Sequence, residues 1–581
     1  MRCVGVVGWA AGSCRGRQLG LVRDHDAPAL DRPWRRPGAL SYVPIRVRAF
    51  VKPPIDVYEP PADLVIEHDV AVSIRDGTIL RVDVYRPSGA GRFPTLLCAH
   101  PYGKDRVPVK RRRGYKISFQ FSVLRQTGKF RFSTLTSWEA PDPAWWVAQG
   151  YAVVNCDLRG AGTSEGTSAL LSDGEGEDVH DLIEWAGARP WCSGVGMIGV
   201  SYLAVSQWKA AALRPPSLRA ICPWEGFTDA YRDLLRPGGI REDGFTRIWS
   251  AGLHGVRQQY SIRAEQKRRP TRDAFYLALV PDLERIEVPT LVCGSFSDNN
   301  LHTRGSFRGF EQISSSDKFL YTHRGGKWST FYSDEAKRVQ LAFFDRYLKG
   351  DDVPPPPPVR LEVRESRLQI AETRDEQEWP LARTAWTPLY FTNTGLARDA
   401  PASSGAITFG TRSRGVRIGW TVRSDTELTG PMSLRLFVSV QNTDDVSLFA
   451  GVEKWRGRSY VPFEGSYGYG RDRVTSGWQK ASLRALDDAQ SRPFEPVPTL
   501  ADPQPLAPDV IVQVDIALGP SATLFRAGEQ LRLVVAGRWL APRNPLFGGF
   551  PAWYQPSARG RCTLHWGPEH RAQLLVPVID S

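Results

Sequence analysis

From Asp69 the segment DVAVSIRDGTILRVDVYRP alternates apolar and polar residues around an Asp-Gly pair, which predicts a β-hairpin and an antiparallel entry into a sheet. Short, almost uniformly apolar runs follow: FPTLLCAHPYG, YAVVNCDLRGAG, GVGMIGVSY, LRAICPWEG and VPTLVCGSFSD. Helix-compatible stretches such as Asp178 to Ala188 separate them. Strands apolar on both faces need cover on both, so the pattern predicts a parallel sheet flanked by helices. Reactive groups are then expected just past the strands' carboxyl ends.

Between Tyr231 and Ile286 the strand signal stops and charged, helix-compatible sequence predicts a helical insertion. The helix DEAKRVQLAFFDRYLKG, with Val339, Phe343 and Leu348 at near-helical spacing, closes the sheet region, and Pro354 to Pro358 forms a stiff linker. Beyond it alternation returns: Leu434, Leu436, Val438 and Val440, then Val512, Val514, Ile516 and Leu518. That pattern predicts an antiparallel β-sandwich of the jelly-roll type. The expected organisation is an extension over 1–55, an α/β catalytic unit over 56–230 and 288–352, a cap over 231–287, a linker over 353–358 and a sandwich over 359–581.

Length and composition support this and narrow the partners. A chain of 581 residues is too long for a single core. The formal charge of +13 suggests nucleic acid until it is located: residues 1–50 hold nine Arg against three Asp, +6 of the total. Lys110 to Arg113 reads as a solvated loop, and neither a zinc-finger spacing nor an RNA-binding module is present. Eight scattered cysteines without a CxxC spacing fit reduced thiols in a cytoplasm, with secretion left open. No run approaches the ~18 apolar residues of a membrane span.

The chemistry centres on MIGVSYLAVSQW, residues 197–208. A nucleophilic serine on a sharp strand-to-helix turn needs small neighbours. Gly199 stands two before Ser201, but Leu203 occupies the place of the second glycine and small Ala204 comes one later. By itself Gly-x-Ser in a loop is more often a helix-opening serine, and the apolar strand before it and helical run after it bring the two readings level. A nucleophile also needs a histidine and an orienting acid, in the chain order Ser, Asp/Glu, His. Five of the nine histidines follow Ser201. His254 lies in the cap, His565 and His570 lie in the sandwich, and His302, four residues after Asp298, reads as the opening of a helix. His323, following the strand-like KFLYT and leading the Gly-rich RGGKWS, is the expected base. Asp298, at the end of its strand and 25 residues earlier, is the expected acid, with an Asx turn as the plain alternative and Asp229 as a rival. The expected oxyanion donors are the Tyr202 amide and Tyr102, in the loop after TLLCAHPYG.

These residues carry a family resemblance. HPYGKD at 100–105, SWEAPDPAWWVAQGYAVVNCDLRGAGTSEG at 137–166, DVHDLIEWAGARPWCSGVGMIGVSYLA at 178–204, GSFSDNN and THRGG make the chain resemble the CocE/NonD hydrolases, the cocaine esterase and X-prolyl dipeptidyl peptidase group, from about Val65 to the C-terminus. The resemblance implies an α/β-hydrolase fold with a helical cap and a C-terminal jelly roll. It implies Ser201 as nucleophile, Asp298 as acid, His323 as base, and Tyr102 with the Tyr202 amide as oxyanion donors. Ala204 departs from the glycine of the family pattern, and the PYGKD loop differs beyond its Pro-Tyr pair.

The expected activity is serine hydrolysis of a carboxylic ester or amide through an acyl-enzyme, without metal or organic cofactor. The substrate is a small molecule or a short peptide, with no nucleic-acid or membrane partner and self-association left open. X-Pro dipeptidyl peptidases and α-amino acid ester hydrolases are the alternatives within the family; their amine-gripping carboxylate would fall on Glu242, Asp243 or Glu225. From another class, Trp455, Tyr460, Tyr467 and Tyr469 would suit a carbohydrate- or nucleic-acid-binding sandwich on an inactive scaffold.

Overall fold

The computed structural model describes residues 55–118, 121, 130–465, 472–541 and 551–579. The extension expected over 1–55 therefore falls, up to residue 54, outside the described residues. The predicted hairpin is β1 (Leu64–Ser73) and β2 (Ile79–Pro87), paired antiparallel across the Asp76-Gly77 turn. The apolar runs become β3 (Phe93–His100), β4 (Ala152–Asp157), β5 (Cys192–Val200), β6 (Leu218–Trp224), β7 (Thr290–Ser295) and β8 (Lys318–His323). The sheet runs β1-β2-β4-β3-β5-β6-β7-β8, parallel from β4 onward.

Burial on both faces explains the composition of these strands. Leu96, Val154, Met197, Ile198, Ile221, Val292 and Leu320 are all buried in one core. Helix α1 (Asp173–Gly187), capped by Ser172, packs beside α2 (Tyr202–Ala212), in which every residue is buried. The cap holds α3 (Phe245–Gly252) and α4 (Ile262–Arg268) among shorter turns. Helices α5 (Thr303–Gln312), α6 (Lys327–Phe331) and α7 (Asp334–Phe344) complete the layer after β7 and β8.

The proline run does not lead away from the sheet. The chain re-enters it as β9 (Val359–Ser366), parallel to β8, and Leu320 N–H donates to Pro358 O at 2.9 Å. The alternating segments then build antiparallel layers from β10 (Thr426–Gln441), β11 (Ser447–Arg456), β12 (Thr475–Lys480), β13 (Val512–Phe525), β14 (Gln530–Ala536), β15 (Arg561–Trp566) and β16 (Gln573–Ile579). Strand β10 pairs with β13, β15 and β16, while β11 pairs with β12 and β14. Leu434, Leu436, Val514 and Ile516 meet Leu448, Val452, Leu531 and Leu533 in the core between the two layers.

The cap and the C-terminal layers touch. A Cβ on Gly238 would lie 2.1 Å from Trp478 O, and Asp243 N–H donates to Trp553 O at 2.6 Å. Among the aromatics that suited a binding sandwich, Trp455 and Tyr460 pack on each other with ring centroids 5.7 Å apart, and Tyr467 and Tyr469 lie outside the described residues. No helix among the described residues is long and apolar enough to cross a membrane.

Candidate active site

Ser201 closes β5 and opens α2 at φ 61° and ψ −114°, a left-handed conformation costly for any residue with a Cβ. The turn is held from both sides: Ser201 N–H donates to Trp224 O at 3.0 Å, and Ser201 O accepts from Ala204 and Val205 N–H. Gly199 has φ 151°, and a Cβ there would sit 2.4 Å from Leu203 Cβ. The missing second glycine is thus accounted for, because Leu203 is the residue that leans on Gly199. The small residue is required one place later, where a Cβ on Gly226 would lie 2.6 Å from Ala204 Cβ.

The imidazole that meets Ser201 belongs to His302, with Nε2 3.1 Å from Ser201 Oγ. Its Nδ1 lies 2.6 Å from Asp298 Oδ2. A carboxylate only accepts, so Nδ1 donates to Asp298 and Nε2 is left to accept the serine proton. The turn that achieves this is tight: Leu301, His302 and Thr303 N–H all converge on Asp298 O at 3.1 Å. Asp298 lies just past the end of β7, as expected, and His302 does precede α5, also as expected. One residue fills both places, helix start and partner of the serine.

His323 is the correction. It ends β8 where the sequence placed it, but its ring is hydrogen-bonded elsewhere through both nitrogens. Gly325 N–H donates to Nδ1 at 3.1 Å, which puts the ring proton on Nε2, and Nε2 donates to Glu225 Oε1 at 3.0 Å. With neither nitrogen free, His323 cannot accept from Ser201. The ring stacks on Trp224 instead, centroids 6.3 Å apart. The sequence signal for the pair is Asp-x-x-x-His just past a strand end.

Burial works against the ionised Asp298, yet Lys327 and His302 outweigh it and hold the carboxyl well below the usual carboxylate range. Burial and the Lys327 ammonium lower the His302 pKa, with Asp298 opposing them. Lys327 Nζ is 2.6 Å from Asp298 Oδ2 and 2.7 Å from His302 Nδ1. Nothing in the sequence had singled it out.

Both proposed oxyanion donors lie beside the serine turn. Tyr202 is the first residue of α2, where a backbone N–H has no partner within the helix, and its ring is 6.0 Å from that of Tyr102. The Tyr102 loop is pinned from behind: Tyr102 N–H donates to His100 Nδ1 at 3.2 Å, and Lys104 N–H to Asp157 Oδ1 at 2.6 Å. Trp249 of α3, a cap residue absent from the sequence reading, donates its Nε1–H to Tyr102 Oη at 3.2 Å. With its oxygen already accepting, the Tyr102 proton is free to point elsewhere.

The remaining carboxyls divide clearly. Asp229 caps Tyr231 and Arg232 and pairs with Arg272 at 2.9 Å, so the rival acid is structural. Glu242 accepts from the N–H groups of Gly244, Phe245, Thr246 and Trp553, while Asp243 pairs with Arg241. Glu225 holds His323. Glu139, at φ 64°, is buried beside the Ser201 hydroxyl with Oε2 unpartnered, and burial pushes its carboxyl up to about 8. Glu225, Cys293 and His323 place donor atoms within 4.8 Å of one another. They do not suit a cation, because both His323 nitrogens are committed and the Lys327 ammonium lies 3.7 Å from Glu225 Oε2.

Comparison with known proteins identifies the chain's relatives. Residues 76–279 match the X-Pro dipeptidyl-peptidase (S15 family) model, and residues 352–539 match the X-Pro dipeptidyl-peptidase C-terminal non-catalytic domain. The cocaine esterase of Rhodococcus sp. (strain MB1 Bresler) is 28% identical over 613 residues, covering 88% of this chain and 98% of the esterase. An α-amino acid ester hydrolase shares the fold, with TM-score 0.66 at 17% identity over 89% of this chain and 97% of that one. A solved CocE/NonD family hydrolase from Staphylococcus aureus is 34% identical with TM-score 0.84, over 89% of this chain and 94% of that one. A serine at a strained strand-to-helix turn, in a chain matched along most of its length, makes this protein a serine hydrolase of ester or amide bonds and a member of the CocE/NonD family.

Proposed function

We propose that the protein hydrolyses carboxylic esters, with Ser201 as nucleophile, His302 as base, Asp298 as orienting acid, and Tyr102 Oη with the Tyr202 amide as oxyanion donors. The observation that carries this is the unbroken chain from Ser201 Oγ through His302 to Asp298, with contacts of 3.1 and 2.6 Å. His302 takes the Ser201 proton as Oγ attacks the carbonyl carbon, then delivers it to the leaving alkoxide. Water repeats the sequence on the acyl-enzyme. Asp298 holds the productive tautomer and balances the imidazolium charge.

Ester is favoured over substrates with a free α-amino group because, of the carboxylates weighed for that task, Glu242 and Asp243 are engaged in the protein's own contacts and Glu225 is fully buried between His323 and Lys327. Burial raises the Glu139 carboxyl to about 8, which disfavours a standing anion there. Turnover of an activated aryl ester, compared with an X-Pro amide bearing a free or an acetylated amine, tests the assignment. Ester turnover lost in Ser201→Ala, together with phosphonate labelling, is the expected result. A marked preference for the free amine would reverse the choice of substrate class, and undiminished turnover in Ser201→Ala would remove the serine.

A further inference from the structure

Two histidine–carboxylate pairs lie side by side in this site, and a buried lysine stands between them. His302 is joined to Asp298 and His323 to Glu225; Lys327, 1% exposed, is 2.6 Å from Asp298 Oδ2 and 3.7 Å from Glu225 Oε2. Asp298 Oδ2 thus accepts from both Lys327 and His302. The third side of that triangle, Lys327 Nζ to His302 Nδ1 at 2.7 Å, brings an ammonium against a ring nitrogen that already donates to Asp298. In the resting state this is tolerable, since the imidazole is neutral. Once His302 takes the serine proton, two cations face each other at that distance.

Glu225 supplies the relief. Its Oε1 is taken by His323, but Oε2 is buried and has no hydrogen-bond partner. An ammonium at 3.7 Å needs to move only about 1 Å to reach hydrogen-bond range. Glu225, just past the end of β6, is held through Oε1 by His323, so the lysine is the group that moves. We propose that Lys327 is a positioning residue that rests on Asp298 and shifts to Glu225 Oε2 as His302 becomes charged, leaving Asp298 to the imidazolium. Lys327 keeps its protons throughout. The only proton that moves is that of Ser201, from Oγ to His302 Nε2, as Oγ bonds the carbonyl carbon and the carbonyl electron pair passes to oxygen.

Charge counting favours the same motion. Once the imidazolium forms, two buried carboxylates face two cations, so Asp298 can pair with His302 and Glu225 with Lys327, while the matching negative charge sits on the former carbonyl oxygen. The groups facing His302 are Asp298 on its own turn, Lys327 from α6, Glu225 after β6 and the Phe227 ring, and Glu139, from the segment before β4, lies beside Ser201.

The inference rests on His302 as the base, and the experiment separates the two. The acidic limb of kcat/KM against pH would be measured on an aryl ester for wild type, Lys327→Met, Glu225→Gln and the double variant, beside His302→Asn. Removing the cation is expected to move the limb up by about one pH unit, and removing the anion to move it down by a similar amount. Glu225→Gln should lower kcat roughly tenfold at a KM within about twofold. The double variant should return the limb to near its wild-type place. Limbs that stay put, or that move in the same direction in both single variants, would overturn the proposal while His302→Asn remains inactive. Activity retained in His302→Asn would overturn the base assignment instead. If Lys327→Met alone fails to fold, Glu225→Gln and the double variant, which leaves no second bare carboxylate, still decide.

Discussion

His302 Nε2 lies 3.1 Å from Ser201 Oγ, 101 residues away in sequence, whereas His323, expected as the base from its place after the strand-like KFLYT, gives its Nε2 proton to Glu225. Both rings are buried, and they have different partners. His302→Asn is expected to lower kcat by ~10⁴-fold, as loss of a triad member does elsewhere. His323→Asn should keep activity within about tenfold and cost ~1–3 kcal/mol of stability through the orphaned Glu225. Steady-state kinetics and urea unfolding of both variants check this, and the reverse order of effects would sink the assignment.

Tyr102 accepts from Trp249 and so has its own proton available for a developing oxyanion. Tyr102→Phe should lower kcat by about 10²–10³-fold with KM little changed, the signature of a donor used in the transition state. Trp249→Phe removes the group that aims the phenol rather than the phenol itself. A loss of less than roughly tenfold is expected there, and an equal loss in both variants would contradict the difference in role.

Ala204 and Gly226 face each other so closely that a second methyl group has no room. Ala204→Gly should be tolerated. Ala204→Leu should destabilise by ~1–3 kcal/mol through overpacking, with activity falling as the serine turn is displaced. Thermal unfolding of the two variants measures it; an unchanged Tm for Ala204→Leu would mean that α2 can move away from β6.

Glu139 gives a pH dependence of definite sign. Burial raises its carboxyl from 4.5 to about 8, so between those values the folded protein holds a proton that the unfolded chain has released. Stability contributed by this group therefore falls as pH rises through the window, by at most ~1.4 kcal/mol per pH unit. Glu139→Gln, which cannot ionise, should flatten the decline. Urea midpoints at pH 5, 7 and 9 for both proteins compare the slopes, and parallel slopes would exclude Glu139 as the source.

Much of the fold was legible because strand periodicity and burial are local properties of the chain. The runs TLLCAH, AVVNCD and GVGMIGV had to be covered on both faces, and they are β3, β4 and β5 of the parallel sheet. Ser201 and Asp298 were legible for a related reason, since both lie at the carboxyl ends of strands recognisable by their apolar content. The hydrophobic pattern of Leu434 to Val440 likewise announced a sheet face before any partner strand was known.

The choice between the histidines was not local. His302 and His323 both follow a buried strand, and which ring reaches Ser201 depends on side-chain direction at a tight turn and on what fills the neighbouring space. Lys327, Glu225 and Trp249 come from three separate segments and meet only after β6, β7, β8 and the cap have packed. Sequence by itself determined the sheet and marked Ser201 and Asp298 at the carboxyl ends of its strands, because strand burial and turn geometry are written in neighbouring residues. The tertiary structure alone decided which imidazole lies against Ser201 and that Lys327 lies beside it, because hydrogen bonds between side chains far apart in the chain are set by distances that only packing creates.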